Sequence, residues 1–136
     1  MLIPAGARTN TAAMLIEHRD IDAPASTAWR LLTDTDEWPS WGPSVRAVET
    51  STRIIGPGVR GRVQTATGLW LPFEISRWEP NRYWAWRVAG VPATGHGVEP
   101  LGPQRCRVSF LIPHWAPFYR PVCRRALRRI AALAER

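Results

Sequence analysis

The sequence predicts an α+β domain in which one long helix covers a strongly curved antiparallel sheet. Three observations predict it. Residues 45–112 alternate with period two and are broken by turn residues roughly every ten positions. One short strand and two short helical stretches come before this run. An arginine-backed amphipathic segment comes after it, and no other element is long enough to cover the buried face of such a sheet. At 136 residues the chain supports a single core, since a second would need roughly another hundred residues.

The elements follow in order. Residues 1–13, MLIPAGARTNTAA, hold no apolar stretch of signal-peptide length and read as a disordered tail ahead of one domain over 14–136. Met14 to Ile21 reads as the first strand. Asp22 is a candidate N-cap, Pro24 suits a first helical turn, and Ala25, Ala28, Trp29 and Leu32 recur at helical spacing. A shorter helix or turn is expected over Asp34 to Trp41, with Thr33, Asp34 and Asp36 as capping candidates and an end near Trp41-Gly42-Pro43. Six strands then follow: Val45–Thr52, Gly58–Thr65, Leu69–Trp78, Tyr83–Val91, Thr94–Glu99 and Arg105–Ile112. The short connections between them, such as Thr67-Gly68, Glu79-Pro80-Asn81 and Val91-Pro92, imply an antiparallel meander of seven strands in all.

A helix closes the chain between Trp115 and Arg136. Val122, Cys123, Ala126, Leu127, Ile130, Leu133 and Ala134 share one face, and Arg124, Arg125, Arg128, Arg129 and Arg136 take the other. Pro121 cannot sit in a regular helix interior, so this helix either starts near it or is kinked there.

Composition excludes several functions. The formal charge is +7, from 18 basic and 11 acidic residues, and every basic residue is Arg. Phosphate footprints generally mix Arg with Lys, so the absence of Lys reads as coding bias and nucleic acid is not an expected partner. Cys106 and Cys123 stand far apart with no zinc-type spacing, which suits buried thiols in a reducing, cytoplasmic setting. His18, His96 and His114 fall on separate elements, and no GxGxxG, GxxxxGK[ST] or GxSxG motif occurs. No metal and no cofactor are expected. No apolar run approaches the ~18 residues of a membrane span. The basic face of the last helix suits anionic headgroups, but its apolar face is committed to the sheet, so membrane association is not expected. Monomer and homodimer remain open.

The approach Ile21-Asp22-Ala23-Pro24 leading to Ala28-Trp29, followed by Thr33-Asp34 and Trp38-Pro39-Ser40-Trp41, resembles the helix-grip superfamily. This superfamily is also described as SRPBCC, START-like or birch-pollen-allergen-like. Over about residues 14 to 136 the chain looks most like its polyketide cyclase/dehydrase and lipid-transport branch of small bacterial proteins. The resemblance implies a curved seven-stranded sheet wrapped around the C-terminal helix, with two short helices between strands 1 and 2. It carries no catalytic triplet over to this chain.

Eight Trp against three Phe and two Tyr either supply aromatic walls for a cavity between sheet and helix or fill that space outright and leave no room for a ligand. Alternation turns Cys106, Val108, Phe110 and Ile112 inward, with Thr94, His96 and Val98, with Trp84, Trp86 and Val88, and with Leu69, Leu71, Phe73 and Ile75. Trp38 and Trp41, three apart, face one way as a lid or as a plug, with Trp41 expected to be the more buried. Trp115 and Phe118 close the other side of the entrance. The candidate ligand-binding residues are therefore Trp38, Trp41, Phe73, Trp84, Trp86, His96, Phe110 and Phe118.

His96, between Gly95 and Gly97, reads either as a hydrogen-bond donor or acid–base group, or as a core histidine satisfied by backbone. Glu17 and Arg19 share the inward parity of Ile21 and form a second acid–base candidate, or else a pair at the wet rim. The expected function is binding of a small hydrophobic molecule such as a polyketide, lipid or aromatic metabolite. The alternative is a cyclase/aromatase or dehydratase using His96, Glu17 and Arg19 as proton carriers.

Overall fold

The computed structural model describes residues 14–136, so the expected N-terminal tail lies outside the described residues. Strand β1 (Met14–Ile21) leads to helices α1 (Ala25–Thr33) and α2 (Trp38–Trp41). Strands β2 (Val45–Thr50), β3 (Arg60–Thr65), β4 (Trp70–Glu79), β5 (Tyr83–Val88), β6 (Val91–Gly102) and β7 (Arg105–Pro113) follow, and a 3-10 turn (Pro117–Tyr119) runs into α3 (Arg120–Ala134). The seven strands form one antiparallel sheet in the order β1-β7-β6-β5-β4-β3-β2. Among the described residues no helix is long and apolar enough to cross a membrane.

Helix α3 lies on the concave face and buries Cys123, Ala126, Leu127, Ile130 and Ala131 against the core. Pro121 sits in its first turn, where its missing N–H removes no helical bond. Each large aliphatic side chain in this seam contributes roughly 1.5–3 kcal/mol. Burial raises the Cys123 thiol to about 12, with Glu17 adding to the shift, and burial also raises Cys106. Both cysteines are therefore neutral packing groups at ordinary pH.

Several local expectations are corrected. Asp22 does not cap α1: the N-cap position is Pro24, and the Asp22 N–H instead donates to Glu135 at 2.9 Å. The second helix begins only at Trp38, because Asp34 accepts the Asp36 N–H at 3.0 Å and holds residues 34–37 as a turn. The β5–β6 turn falls at Ala89-Gly90, where φ is 52° and 77°, so Val91 and Pro92 belong to β6. Successive positive φ angles match the twist of a tight hairpin, and glycine adopts them without strain. Leu69 is not inward but lies in the β3–β4 turn, 59% exposed. A bulge between Ile75 and Arg77 reverses the alternation of β4, so Trp78 reaches the concave side and packs edge-on against Trp29 at 5.4 Å. The convex face is not wholly solvated: Tyr83, Ala85 and Leu111 form a second buried cluster there with Met14 and Ile16.

The sheet closes tightly at Gly61. A Cβ there would stand 2.4 Å from the Glu49 carbonyl oxygen and 2.8 Å from the Phe73 ring. Because the first of these is backbone, Gly61→Ala is expected to cost about 1–3 kcal/mol by forcing β2 and β3 apart. Urea unfolding checks this; an unchanged midpoint would show that the strands separate freely.

Candidate functional site

Among the described residues the concave side is divided into two chambers. Beneath α3 and α2 the space is almost filled. Trp38 and Trp41 are 1% and 6% exposed, which reverses the expected order of burial. Their indole N–H groups donate to the Leu32 and Leu31 carbonyls at 2.9 and 2.8 Å. These carbonyls sit at the C-terminal end of α1, where no further turn is available to accept from. The two tryptophans thus lock α1 to α2 and plug the interior in one step.

Behind them the rings form a continuous block. Trp84 stacks on Trp38 with centroids 5.4 Å apart and on His96 at 3.9 Å. Phe73 and Trp86 meet Trp38 edge-on or tilted at 5.6 and 5.4 Å. Phe110 closes on Trp41 and His96 at 5.8 and 4.9 Å. The space left among these side chains and α3 is about 30 Å³, enough for roughly one water molecule.

His96 is 2% exposed, and its ring is satisfied from inside. Nδ1 faces the Trp84 carbonyl at 3.4 Å, and Nε2 faces Thr94 Oγ1 at 3.1 Å. The Trp86 Nε1–H also reaches Thr94 Oγ1, at 3.1 Å. A carbonyl only accepts, so Nδ1 carries the proton and Nε2 accepts from the threonine hydroxyl. One directed chain results, from Trp86 through Thr94 and His96 to the backbone of β5. Burial, only partly offset by the Trp84 carbonyl, depresses the imidazole to about 3. The ring is neutral at physiological pH and is not poised as an acid. The Trp84 Nε1–H, by contrast, is buried without a partner among the described residues.

The second chamber lies at one end of the sheet, under the loop from β7 to α3, and measures about 440 Å³. Val63, Leu71, Val88, Ala93, Ile112 and Ala116 form much of its wall, with Trp86, Trp115, Phe118 and Tyr119 as its aromatic members. Ser44, Thr65, Thr67, Thr94 and Tyr119 bring hydroxyls to it, Trp86 and Trp115 bring indoles, and no charged side chain lines it. Ser44, Val45, Trp86, Thr94 and Tyr119 border both chambers and make the neck between them. There the Ser44 and Tyr119 hydroxyls are hydrogen-bonded, and burial raises the Tyr119 phenol above its ordinary value.

The sequence candidates divide accordingly. Trp86 and Phe118 line the larger chamber. Trp38, Trp41, Trp84, His96 and Phe110 border only the small inner space, and Phe73 packs behind them. Glu17 and Arg19 border neither chamber and are not paired with each other. Glu17 instead accepts from Arg120 and Arg124 at 3.0 and 2.9 Å and ties the flank of α3 to β1, while Arg19 is exposed. Arg87 and Glu74 pair across neighbouring strands at 3.6 Å and border neither chamber. Sequence reasoning missed Ser44, Thr65, Ala93 and Tyr119. Their only sequence signal was small or hydroxyl-bearing residues at or near the ends of elements, which identifies a cavity wall only after those ends are placed together. Among the described residues no group of three or more His, Cys, Asp or Glu is placed to hold a metal ion.

A curved antiparallel sheet gripping one long helix, with a small helix pair at its shoulder and an apolar chamber at one end, defines a helix-grip domain. The chain belongs to the polyketide cyclase/dehydrase and lipid transport family, whose model matches residues 15–135. None of the curated proteins matches it. Among solved structures it is similar to the Zhui aromatase/cyclase from Streptomyces sp. R1128, with 15% identity and a TM-score of 0.69 over 90% of this chain and 93% of that one. It is also similar to the di-domain ARO/CYC BexL of the BE-7585A biosynthetic pathway, with 18% identity and a TM-score of 0.68 over 90% of this chain and 46% of that one. A hypothetical protein from Helicobacter pylori shares 14% identity and a TM-score of 0.71 over 89% of this chain and 87% of that one. At these identities the likeness establishes the shared fold.

Proposed function

We propose that this protein binds a small, uncharged, hydrophobic molecule in the end chamber, in keeping with the family's cyclase, dehydrase and lipid-transport members. One observation carries the reading: a space of about 440 Å³ is walled by apolar and aromatic side chains, and its polar side chains are neutral, hydroxyls and indoles with no charged group. Such chambers hold ligands by apolar burial and orient them with a few hydrogen bonds. Here Thr94, Ser44 and Tyr119 at the neck supply those bonds. An ionised ligand would lose its hydration without meeting a counter-charge, which is costly.

A neutral naphthol should therefore bind saturably, with Kd in the micromolar range or tighter, and quench Trp fluorescence; its carboxylate analogue should bind at least about tenfold more weakly. Ala93→Trp, which fills the chamber, should weaken naphthol binding by a similar factor. Saturable binding that ignores Ala93→Trp, or no binding at all, would sink the proposal.

The second reading is turnover of a poly-carbonyl ligand of the kind that the aromatase/cyclase neighbours suggest. It draws on the Thr94 hydroxyl, which faces the chamber and touches His96. It ranks second because the imidazole is held neutral and enclosed, whereas a general acid–base needs a pKa near the working pH.

A further inference from the structure

We infer that the open end of the chamber docks on an anionic lipid surface. The antiparallel register fixes which segments share that end. Met14 pairs with Pro113, Val45 with Thr65, Gln64 with Trp70 and Val88 with Val91. The start of β2, the β3–β4 and β5–β6 turns, and the loop from β7 to α3 therefore project together.

These segments carry four of the large hydrophobic residues that stand exposed. Phe118 is 72% exposed, Leu69 59%, Trp115 56% and Val91 47%. They come from three separate segments, so this is one patch at one end and not scattered exposure. Apolar side chains on protruding turns, one of them an indole, suit insertion at a headgroup boundary. A flat recognition contact with a folded partner would not require them on protruding turns.

Charge supports the same occupant. The eleven carboxylates leave residues 38–48, 50–73, 80–98 and 100–134 without any acid. Every segment that projects at the chamber's open end falls within these stretches. Arg46 is exposed beside the β3–β4 turn, with its guanidinium 3.9 Å from where a Cβ on Gly68 would stand. Arg120, Arg124 and Arg125 open α3 at the same end, where Glu17 is the carboxylate that Arg120 and Arg124 share. Apolar tips backed by an excess of Arg match the two components of interfacial binding, burial of apolar side chains and attraction to anionic headgroups. The basic face of α3, considered alone, lacked the apolar component; the loops supply it.

The test uses the full chain and phosphatidylcholine vesicles with and without phosphatidylglycerol, with no cavity ligand added. Binding is expected to the anionic vesicles only, and to disappear by about 0.3 M salt. Leu69→Glu with Val91→Glu should lower vesicle partitioning at least about tenfold. Neither residue lines the chamber, so naphthol binding and the unfolding midpoint should stay unchanged and certify the fold. Arg46→Glu should weaken partitioning in the same direction. Vesicle binding indifferent to the Leu69/Val91 pair would assign the contact to the α3 arginines and overturn the inference. So would failure to bind vesicles alongside salt-sensitive binding of polyglutamate, which would mark an acidic protein as the partner. Loss of naphthol binding with vesicle binding intact would instead overturn the chamber reading alone.

Discussion

Trp38→Ala is expected to destabilise the domain by about 3–5 kcal/mol, as large aromatic deletions in packed cores do. Three contributions add in the same direction. The ring is 1% exposed and touches Phe73, Trp84 and Trp86, so its removal leaves a hole that the surrounding rings, packed against one another and with Trp86 held by Thr94, fill poorly. The Leu32 carbonyl loses its indole donor inside the core. The α1–α2 junction also loses one of its two tryptophan anchors. Against a typical total of roughly 5–15 kcal/mol, this is a large share.

Trp38→Phe separates the terms, since it keeps an aromatic ring and removes only the donor and part of the area. It should cost about 1–3 kcal/mol. Urea unfolding of the two variants checks both values. A cost below about 1 kcal/mol for Trp38→Ala would mean that the aromatic block adapts freely. The tight filling of the space beneath α3 and α2 would then be wrong.

The second large effect is a pH dependence of stability set by His96. Its imidazole is depressed from 6.5 to about 3 in the folded protein, chiefly by burial. Between these values the unfolded chain binds a proton that the folded chain does not. Stability is therefore at its plateau above about pH 6.5, falls as the pH drops through that window, and levels off only near the folded value. The total change is of order 3–5 kcal/mol. Asp20, lowered from 3.8 mainly by its hydrogen bond to Arg107, loses its contribution only below its own unfolded value, so the upper part of the window belongs to His96. Unfolding midpoints measured from pH 7.5 to 4.5 should fall steadily in the natural protein. His96→Gln should flatten the profile over that range, whatever its stability at neutral pH. An equal slope in both proteins would show that the buried ring takes up its proton without unfolding.

The same residue shows how a site can be visible in sequence while its role is not. Alternation placed Thr94, His96 and Val98 on one face, and they are buried there. What the imidazole does depends on the Trp84 carbonyl twelve residues away and on Trp86 across the strand pair, partners fixed by β5–β6 register. Glu17 is the converse case. Its parity was read from Ile21, but the side chain is held by two arginines more than a hundred residues later.

Taken alone, the order of elements, the period-two run and the arginine-backed terminal segment determined the helix-on-sheet architecture. Each is a repeat along the chain whose burial has one economical solution. The inward sets of β6 and β7, and the inward Trp84 and Trp86 of β5, followed from alternation for the same reason. Only the tertiary structure decided where empty space remains. The aromatic supply was legible, but its distribution was not: most of the rings were spent on filling the interior under α3. The chamber opened instead where three connecting segments diverge at one end of the sheet. A cavity is the volume that packed elements fail to fill, and that remainder depends on bulges, turn positions and rotamers that no local pattern records.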